Sequence, residues 1–525
     1  MKALCVLYAG RLTPEAFEKV PGAAFGSSFS QALAAARRFP EVQKVVLFGL
    51  EGKEYPDLSP DVEVLSQPSW TRLSLLKELS RLSLGFDYSY FAWADCPLLD
   101  PVLAASLAER HKRYRAEYSY ADGWPYGFAP ELVAPGTAGI LAKLAENDDG
   151  PVERDTLFNV IQKDINAFDI ETEISPWDLR PYRLCLAADS KRNLLLLTRL
   201  MADGLSSAME TERFIGEKAA AAGEALRTLP AFFNIQVSGA CPQSCSFCPW
   251  PACSSVNVTE RKDFMPVEAL TSLLDKIERF AGDAVIGLSL WGELALHPQH
   301  QALIEMVLSR PALSLVIETS GVGWKEGELQ DLALAASRAA PRKNQTIYSN
   351  SSPLSWIVSL DAHDPARYKE IRGPGFSEAQ SNAKTLLSLF PGNAYVQAVR
   401  VKDFEDDIEN FYRSWKGEDA SRVIIQKYDD FAGALPKLQA TDLSPVKRRA
   451  CWHIQRDMNI LLDGRVPNCK ADLEVLKGKG EVLGNALTEE LPLIWERGAA
   501  LYKTHCKAEY PGLCALCDEF YTYNF

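Results

Sequence analysis

The chain has 525 residues, too many for one ordinary hydrophobic core, so we expect two to four domains. Its 47% hydrophobic and 24% charged residues are typical of a folded globular protein. A formal net charge of −13 and a pI near 5.2 oppose binding to phosphate backbones, so no nucleic-acid partner is expected. The start, MKALCVLYAG, predicts a buried strand and not a signal peptide. With no apolar run of about 18 residues, we expect a cytoplasmic protein without a membrane partner.

Residues 1–204 alternate strand-like and helical patterns. The strand-like runs include KALCVLYA, VQKVVLFG and DYSYFAWAD, and helical patterns such as SSFSQALAAARRF lie between them. This alternation predicts an α/β domain with a mainly parallel sheet. A helical connector is predicted over 205–230, ending at Pro230.

A second alternation, over residues 231–440, predicts six strand–helix repeats. The strands are the runs FFNIQV, AVIGLSLW, LSLVIET, LSWIVSLD, YVQAVRVK and RVIIQKY, with helices at 266–280, 299–309, 326–339, 377–389 and 404–415. Such a pattern indicates a barrel-like or open parallel sheet, slightly short of a full eight-fold barrel. Residues 441–525 read as a small, loop-rich module that contains five cysteines.

Twelve cysteines in a reducing compartment favour free, catalytic or metal-bound thiols over disulfides. Cys241, Cys245 and Cys248 follow the strand FFNIQV directly, at the edge where parallel α/β folds place ligand sites. Three thiolates can ligate three irons of a four-iron cluster and leave one iron open. A structural zinc site with Cys253 as fourth ligand explains the same residues equally well.

Polar residues that interrupt later strands at the same edge distinguish these alternatives. They are Trp291-Gly292-Glu293, Glu318-Thr319-Ser320-Gly321 and Ser359-Leu360-Asp361. Because a structural zinc loop needs none of them, they favour a ligand pocket beside the cysteines.

This order of motifs resembles the radical S-adenosylmethionine (SAM) superfamily, whose partial (β/α)6 barrel matches the six repeats. The resemblance implies that Cys241, Cys245 and Cys248 bind a [4Fe-4S] cluster and that SAM is bound by Phe247 (adenine), Glu293 (ammonium), Ser359 and Asp361 (ribose), Thr319 and Ser320 (pocket lining) and Arg372 (carboxylate). Leu294 stands where the family more often has proline after Gly-Glu. Asp361 as a helix N-cap and Arg372 as a surface residue are the simpler alternatives.

The resemblance also implies a reaction. An electron from the cluster cleaves SAM, and the resulting 5′-deoxyadenosyl radical abstracts hydrogen from a substrate. A low-potential donor such as flavodoxin or ferredoxin would supply the electron. Cofactors of this kind carry the difficult chemistry, while the protein positions atoms and excludes water.

The C-terminal cysteines form a second pattern. Cys451 and Cys469 bracket Asp463-Gly464, a hairpin signal that would bring both thiols together, and Cys514 and Cys517 follow. The pattern resembles the SPASM domain, a module appended to many radical SAM enzymes, whose full pattern has seven cysteines for two clusters. Because only these four cysteines fit that pattern, we expect one auxiliary iron–sulfur cluster on them. Cys506 is either a fifth thiolate or a buried small side chain, and a zinc ribbon on the same four thiols is the structural alternative.

The N-terminal segment Ala94-Asp95-Cys96-Pro97-Leu98-Leu99-Asp100-Pro101 resembles the CPLxDP segment of sugar-nucleotide cytidylyltransferases, which have a GT-A-like α/β fold. That likeness implies a divalent metal held by Asp95 and Asp189; the alternative for Asp95 is a helix N-cap. Ala23 follows Pro21-Gly22 where the family has a lysine, so we expect a degenerate domain more than an active transferase.

The combined order of parts resembles the spiro-SPASM proteins of spirochaetes, an architecture without an assigned activity. The principal hypothesis is a radical SAM enzyme whose substrate, peptide or sugar- or nucleotide-linked, the sequence does not identify. A non-enzymatic zinc protein and a nucleotidyltransferase with metal-bound appendages are the alternatives.

Overall fold

The computed structural model describes residues 1–20, 26–210, 224–340, 352–417 and 420–522. These residues form two compact units, one reaching to Ala225 and the other starting at Leu226. Each unit contains its own seven-stranded sheet. In the described part of the chain, no helix has both the length and the apolar character needed to cross a bilayer.

The sheet of the first unit is parallel except for one strand. Its strands are β1 (Ala3–Tyr8), β2 (Val42–Leu50), β3 (Val62–Gln67), β4 (Tyr88–Trp93), β5 (Tyr118–Asp122), β6 (Glu131–Val133) and β7 (Ile170–Ile174). Their spatial order is β3-β2-β1-β4-β6-β5-β7, and β6 runs antiparallel to β4 and β5. Every residue of β1 and β4 is buried, as expected for central strands whose two faces are both covered.

Six helices accompany this sheet among the described residues. They are α1 (Ser28–Ala36), α2 (Arg72–Ser83), α3 (Pro101–Tyr114), α4 (Pro135–Leu144), α5 (Thr156–Ile161) and α6 (Lys191–Ala202). Asp100 caps α3 by accepting hydrogen bonds from the backbone N–H groups of Val102 (2.8 Å) and Leu103 (3.4 Å). The N-cap alternative for Asp95 is therefore wrong.

The sheet of the second unit is entirely parallel and has one strand more than predicted. Its strands are β8 (Phe232–Ile235), β9 (Ala284–Gly287), β10 (Leu313–Thr319), β11 (Leu354–Ser359), β12 (Ala394–Arg400), β13 (Val423–Lys427) and β14 (Asp457–Ile460). Strands β8 to β13 lie side by side in chain order, and β14, from the cysteine-rich region, pairs with the free edge of β8. The cysteine-rich region thus contributes directly to the core sheet.

Helices of the second unit cover the outside of this sheet or lie in the C-terminal region. They are α7 (Trp250–Cys253), α8 (Val267–Ala281), α9 (His300–Leu308), α10 (Glu326–Arg338), α11 (Pro365–Ile371), α12 (Phe376–Leu389), α13 (Glu405–Trp415), α14 (Trp452–Arg456), α15 (Leu473–Leu476), α16 (Leu491–Arg497) and α17 (Ala499–Cys506). In α8, Leu270, Leu273, Leu274 and Ile277 are buried on one face. Pro266 precedes the helix as its N-cap residue, one position earlier than predicted.

The predicted hairpin at Asp463-Gly464 is wrong as a strand pair, although its turn forms. Gly464 has a φ of +85°, and its N–H donates to the carbonyl of Leu461 (2.8 Å). The strand after the turn, β15 (Arg465–Val466), pairs with β16 (Gly484–Asn485). Strand β14 pairs with β8 because its apolar residues Met458 and Ile460 are buried in the barrel core.

The predicted fold class is confirmed: an α/β sandwich precedes a partial barrel of parallel strands and helices. The cysteine-rich region follows it. Two predictions fall outside the described residues, namely Ala23 in the first loop and the middle of the helical connector, 211–223.

Candidate active site

The loop with the three cysteines follows β8 and is held by backbone hydrogen bonds. The Cys241 N–H donates to the carbonyl of Val258 (3.0 Å), and the Cys248 N–H donates to that of Cys245 (3.1 Å). The Ser246 N–H donates to the carbonyl of Ile371, at the end of α11 (2.9 Å). Backbone hydrogen bonds to Val258 and to the end of α11 therefore hold the loop in place, and its thiols take no part in them.

Gln243, between the first two cysteines, forms a buried brace that the sequence did not reveal. Its Oε1 accepts a hydrogen bond from Arg372 Nε (2.8 Å), and its Nε2 donates to the hydroxyl of Tyr368. The Arg372 guanidinium also pairs with the Asp361 carboxylate. These contacts tie the cysteine loop to α11 and to the end of β11.

Burial disfavours the charged form of all three thiols. It raises the pKa of Cys241 to about 12, with a further contribution from the Glu293 carboxylate. It also raises the pKa of Cys245 and Cys248, and Cys245 and Cys241 each add to the shift at Cys248. Thiolates grouped this closely in a low-dielectric site need a bound cation, and soft metals suit them.

Glu293 lies beside these thiols and is 2% exposed. Its carboxylate accepts hydrogen bonds from Thr319 Oγ1 (2.8 Å), from the N–H and Oγ of Ser320 (both 2.7 Å) and from the N–H of Ala295 (3.3 Å). Burial raises the pKa of Glu293, while the hydrogen bonds from Ser320 and Thr319 oppose that shift. All four donors are neutral, so the negative charge has no cationic partner among them.

Gly292 allows this arrangement because a side chain there would collide with the cysteine loop. Its φ is +84°, and a Cβ would lie 2.2 Å from the carbonyl oxygen of Ser238. The next residue, Glu293, donates its N–H to the carbonyl of Ala240 (2.7 Å). The Gly-Glu pair is therefore required both for backbone conformation and for the carboxylate.

A cleft of about 240 Å³ opens at the carboxyl ends of the barrel strands. It brings together nearly all of the residues predicted to hold the cluster and SAM: Cys241, Cys245, Phe247, Cys248, Glu293, Thr319, Ser320, Ser359 and Arg372. Residues from four strand ends and from α11 thus meet in one place. A parallel sheet gathers such side chains at this edge.

Asp361 is the exception, since it is not among the described residues that line the cleft. Its Oδ1 accepts a hydrogen bond from the N–H of Val399 (2.7 Å), and its Oδ2 pairs with Arg372. The helix cap is Asp364, which accepts from the N–H groups of Ala366 and Arg367. Asp361 therefore acts on the site through Arg372, and the N-cap alternative for it is wrong.

Two other walls of the cleft are completed by residues outside the sequence motifs, although Trp291 itself belongs to the motif Trp291-Gly292-Glu293. Trp291 stacks with Trp250 (6.4 Å between ring centroids) and lies 5.8 Å from Phe431, forming an aromatic wall beside the cysteines. Lys470, directly after Cys469, lines the cleft together with Asp429, and the two are 3.8 Å apart. Phe431, Asp429 and Lys470 lie more than 130 positions away from the cysteine loop, and no local motif marks them.

Cys253, the fourth ligand of the zinc alternative, lies elsewhere. It lines a separate surface depression with Arg261 and Lys477, and it is not among the described residues of the cleft. Its pKa is raised by burial, and the charged groups that act on it are Lys477 and Glu474. This position gives no support to a four-thiolate zinc site at the cysteine loop.

Four C-terminal cysteines lie close enough to act on one another. Burial raises the pKa of Cys451 to about 12, and Cys517 and Cys514 add to it. The pKa of Cys469 is likewise raised by burial and then by Cys451 and Cys517. The ligand set Cys451, Cys469, Cys514 and Cys517 stays a prediction, which these influences support, while Cys506 packs with an apolar cluster around Cys451.

The acidic pair of the first unit does not fit a divalent metal, because an arginine lies between its members. Arg154 donates to both oxygens of Asp95 (3.1 and 2.6 Å) and forms an ion pair with Asp189 (3.0 Å). All three side chains are buried. Burial alone would lower the pKa of Arg154, but Asp95, Tyr126 and Asp189 raise it above its usual value. The guanidinium supplies the positive charge that a metal would bring.

No family model matches the chain. An uncharacterised protein of Treponema pallidum (strain Nichols) is 37% identical over 379 residues, which cover 70% of this chain and 98% of that protein. The chain therefore belongs to the same family as this Treponema protein. A second uncharacterised protein of that organism is 48% identical over 54 residues, or 10% of this chain and 25% of the other.

Solved structures resemble parts of the chain. BtrN in complex with AdoMet and 2-DOIA is 16% identical and covers 53% of this chain and 88% of its own, with a TM-score of 0.33. Streptococcus suis SuiB bound to precursor peptide SuiA is 15% identical over 56% and 71% of the two chains, with a TM-score of 0.39. A cytidylyltransferase from Leptospira borgpetersenii is 15% identical over 41% and 94%, with a TM-score of 0.34.

The order of folds recognised in the sequence is confirmed. An α/β unit with a mixed seven-stranded sheet precedes a partial barrel of parallel strands, and the loop with the three cysteines follows the first strand of that barrel.

Proposed function

We propose that this protein is a radical SAM enzyme whose cluster is held by Cys241, Cys245 and Cys248. One observation carries the proposal: three partly buried thiols and a buried carboxylate, Glu293, face the same cleft at the carboxyl edge of a parallel sheet. Three thiols suit an iron–sulfur cluster with one open iron. When bound there, a [4Fe-4S] cluster supplies the electron for cleavage of SAM into methionine and a 5′-deoxyadenosyl radical.

The residues around the thiols fit the other groups of SAM. Glu293 offers a carboxylate with only neutral donors around it, which suits the methionine ammonium. Phe247 and the Trp250–Trp291 pair offer aromatic surface for the adenine. Ser359, Thr319 and Ser320 offer hydroxyls for the ribose. Arg372 lines the same cleft, where its guanidinium suits the SAM carboxylate.

The buried surroundings also protect a reactive species. Aromatic and aliphatic side chains back the cysteine loop, namely Trp250, Leu290, Trp291, Leu461 and Val475. Excluding water from such a site prevents side reactions of a radical. We further propose that Cys451, Cys469, Cys514 and Cys517 hold one auxiliary iron–sulfur cluster, and that a flavodoxin or ferredoxin donates the electron.

The test combines metal content with SAM cleavage under anaerobic conditions. After reconstitution, we expect about eight irons per chain from two Cys-ligated clusters. Addition of dithionite and SAM should release 5′-deoxyadenosine. The Cys241/Cys245/Cys248→Ala variant should keep about four irons and release none. Zinc in place of iron, or cleavage that survives the triple change, would refute the proposal.

Cys253→Ala is the matched control, because this thiol is close in sequence but lies outside the cleft. The cluster proposal predicts that it keeps the full iron content and the full rate of SAM cleavage. Loss of one metal per chain in Cys253→Ala would instead favour a four-thiolate zinc site.

A further inference from the structure

The floor of the cleft continues into a second, smaller cavity inside the barrel. This inner cavity has a volume of about 120 Å³ and shares Asn234, Ser289, Glu318, Gln397, Gln426 and Lys470 with the cleft. Asn234, Glu318 and Gln397 are polar although they lie on the inner strands β8, β10 and β12 of a parallel sheet, where apolar side chains are the rule. A polar interior of this kind indicates that a polar ligand occupies it.

The charged residues that line these two cavities are almost all paired. Lys427 pairs with Asp518 (3.0 Å) and Glu519, Lys470 with Asp429 (3.8 Å), His453 with Asp457 (2.6 Å) and Arg372 with Asp361. Among the described lining residues, only Glu293 and Glu318 lack an ion pair within 4 Å, and the cation that acts on Glu318, Lys470, is paired with Asp429. Glu293 is the residue proposed above for the SAM ammonium, so Glu318 is the remaining carboxylate.

Glu318 lies on β10 and faces the cavities. It is exposed, whereas its neighbours Ile317 and Thr319 are buried. Its Oε1 accepts hydrogen bonds from Gln397 Nε2 (2.9 Å) and Ser359 Oγ (3.5 Å). No hydrogen bond to its Oε2 is present within the described part of the chain. One oxygen is therefore oriented by two neutral donors while the other is open to a ligand.

We propose that Glu318 binds a primary ammonium group of the substrate. This assignment rests on the proposed function, because it takes the inner cavity to be the place of the molecule that the radical attacks. A carboxylate with no cation in direct contact, inside a cavity lined by amides, gains most from a cationic donor. The amides of Asn234, Gln397 and Gln426 would hold hydroxyl or amide groups next to that ammonium.

Two sources of a primary ammonium are separated by two matched pairs of probes. D-Glucosamine is compared with D-glucose, and Nα-acetyl-lysine amide with Nα-acetyl-norleucine amide. Binding is measured by calorimetry on the reconstituted, SAM-loaded, unreduced protein, in which no turnover occurs. In at least one pair the ammonium member should bind about tenfold or more tightly than its neutral partner. The pair that discriminates identifies an amino sugar or a lysine side chain.

The variants decide whether Glu318 is responsible. Glu318→Gln should reduce the affinity ratio to about twofold or less, and Glu318→Asp should retain part of it, because the charge is kept. Glu326→Gln, the same change on the exposed surface of α10, should leave the ratio unchanged. The proposal is overturned if neither pair discriminates in the wild type, or if Glu318→Gln keeps the ratio. Failure of the proposed function would appear separately, as absence of 5′-deoxyadenosine on reduction of the wild type.

Discussion

Both units carry carboxylates at the edge where the sequence predicts a ligand, but their surroundings differ. In the first unit, Arg154 lies between Asp95 and Asp189 and neutralises them. In the second, Glu293 receives only neutral donors and Glu318 is open on one oxygen. The difference teaches that an acidic motif alone does not define a binding site. What matters is whether the protein itself supplies the compensating charge.

The largest expected effect is a loss of stability of the first unit, when the carboxylates of Asp95 and Asp189 lose the guanidinium that neutralises them. Arg154→Met leaves two buried carboxylates without a cation and should reduce the stability of that unit by about 3–5 kcal/mol. Differential scanning calorimetry of the full chain would show its transition at a lower temperature. Adding Asp95→Asn and Asp189→Asn to the variant should restore most of the loss. An unchanged transition in Arg154→Met would mean that the pair is not neutralised in this way.

A second test concerns another buried polar group of the first unit. His111 is 4% exposed, its Nδ1 lies 2.8 Å from Ser119 Oγ, and burial lowers its pKa to about 4. The folded state favours the neutral ring, so its contribution is complete above pH about 6.5 and is lost as the pH falls towards about 4. The loss should reach about 3 kcal/mol, since one pKa unit corresponds to about 1.4 kcal/mol.

Urea unfolding of the wild type between pH 7 and pH 4 measures this loss. His111→Gln, which cannot titrate, should show a correspondingly flatter pH dependence of the same transition. Equal slopes for the two proteins would contradict the assignment to His111.

The third test concerns Glu293 in the second unit, whose carboxylate has only neutral hydrogen-bond donors. Glu293→Gln keeps the size of the side chain but removes the charge, and it should weaken SAM binding by about 10- to 100-fold. Calorimetry with the reconstituted protein measures the affinity, and Glu326→Gln serves as the control for the same chemical change. Unchanged SAM affinity in Glu293→Gln would mean that another group binds the ammonium.

The last prediction is that Asp95→Asn has no effect on metal binding. Because Arg154 supplies the charge at the acidic pair, Mn²⁺ should not bind there, and Asp95→Asn should leave the number of bound Mn²⁺ ions unchanged in electron paramagnetic resonance titrations. Pyrophosphate release from CTP should likewise be absent in the wild type. Loss of one bound Mn²⁺ in Asp95→Asn would restore the nucleotidyltransferase hypothesis.

The sequence predicted local features well and long-range pairings poorly. Strands β8 to β13 and the helices between them were found because each has its own periodic pattern of apolar residues. Cys241 and Glu293 were found because short motifs contain them. By contrast, Arg154 is 59 residues from Asp95, and Lys470 reaches the cleft from the cysteine-rich region. No local pattern marks such partners, since the contact exists only in the folded chain.

Strand β14 failed prediction for the same reason, because an apolar run beside a turn signal normally reads as one arm of a hairpin. Asp361 is a related case. Its position after β11 was recognised, but its left-handed backbone (φ +61°) and its pairing with Arg372 were not. Asp361 shows that the identity of a site residue is easier to predict than the direction of its side chain.

The pairing of β8 with β14 affects the order in which the two units fold during synthesis. Residue Phe232 at the first strand of the barrel meets Asp457, 225 positions later in the chain. Closing so long a loop makes folding slow, and the second unit cannot complete its sheet before β14 has been synthesised. The first unit, whose contacts lie within residues up to Ala225, can fold while the rest is still being synthesised. Insertion of the proposed cluster into the cysteine loop would then follow the synthesis of β14.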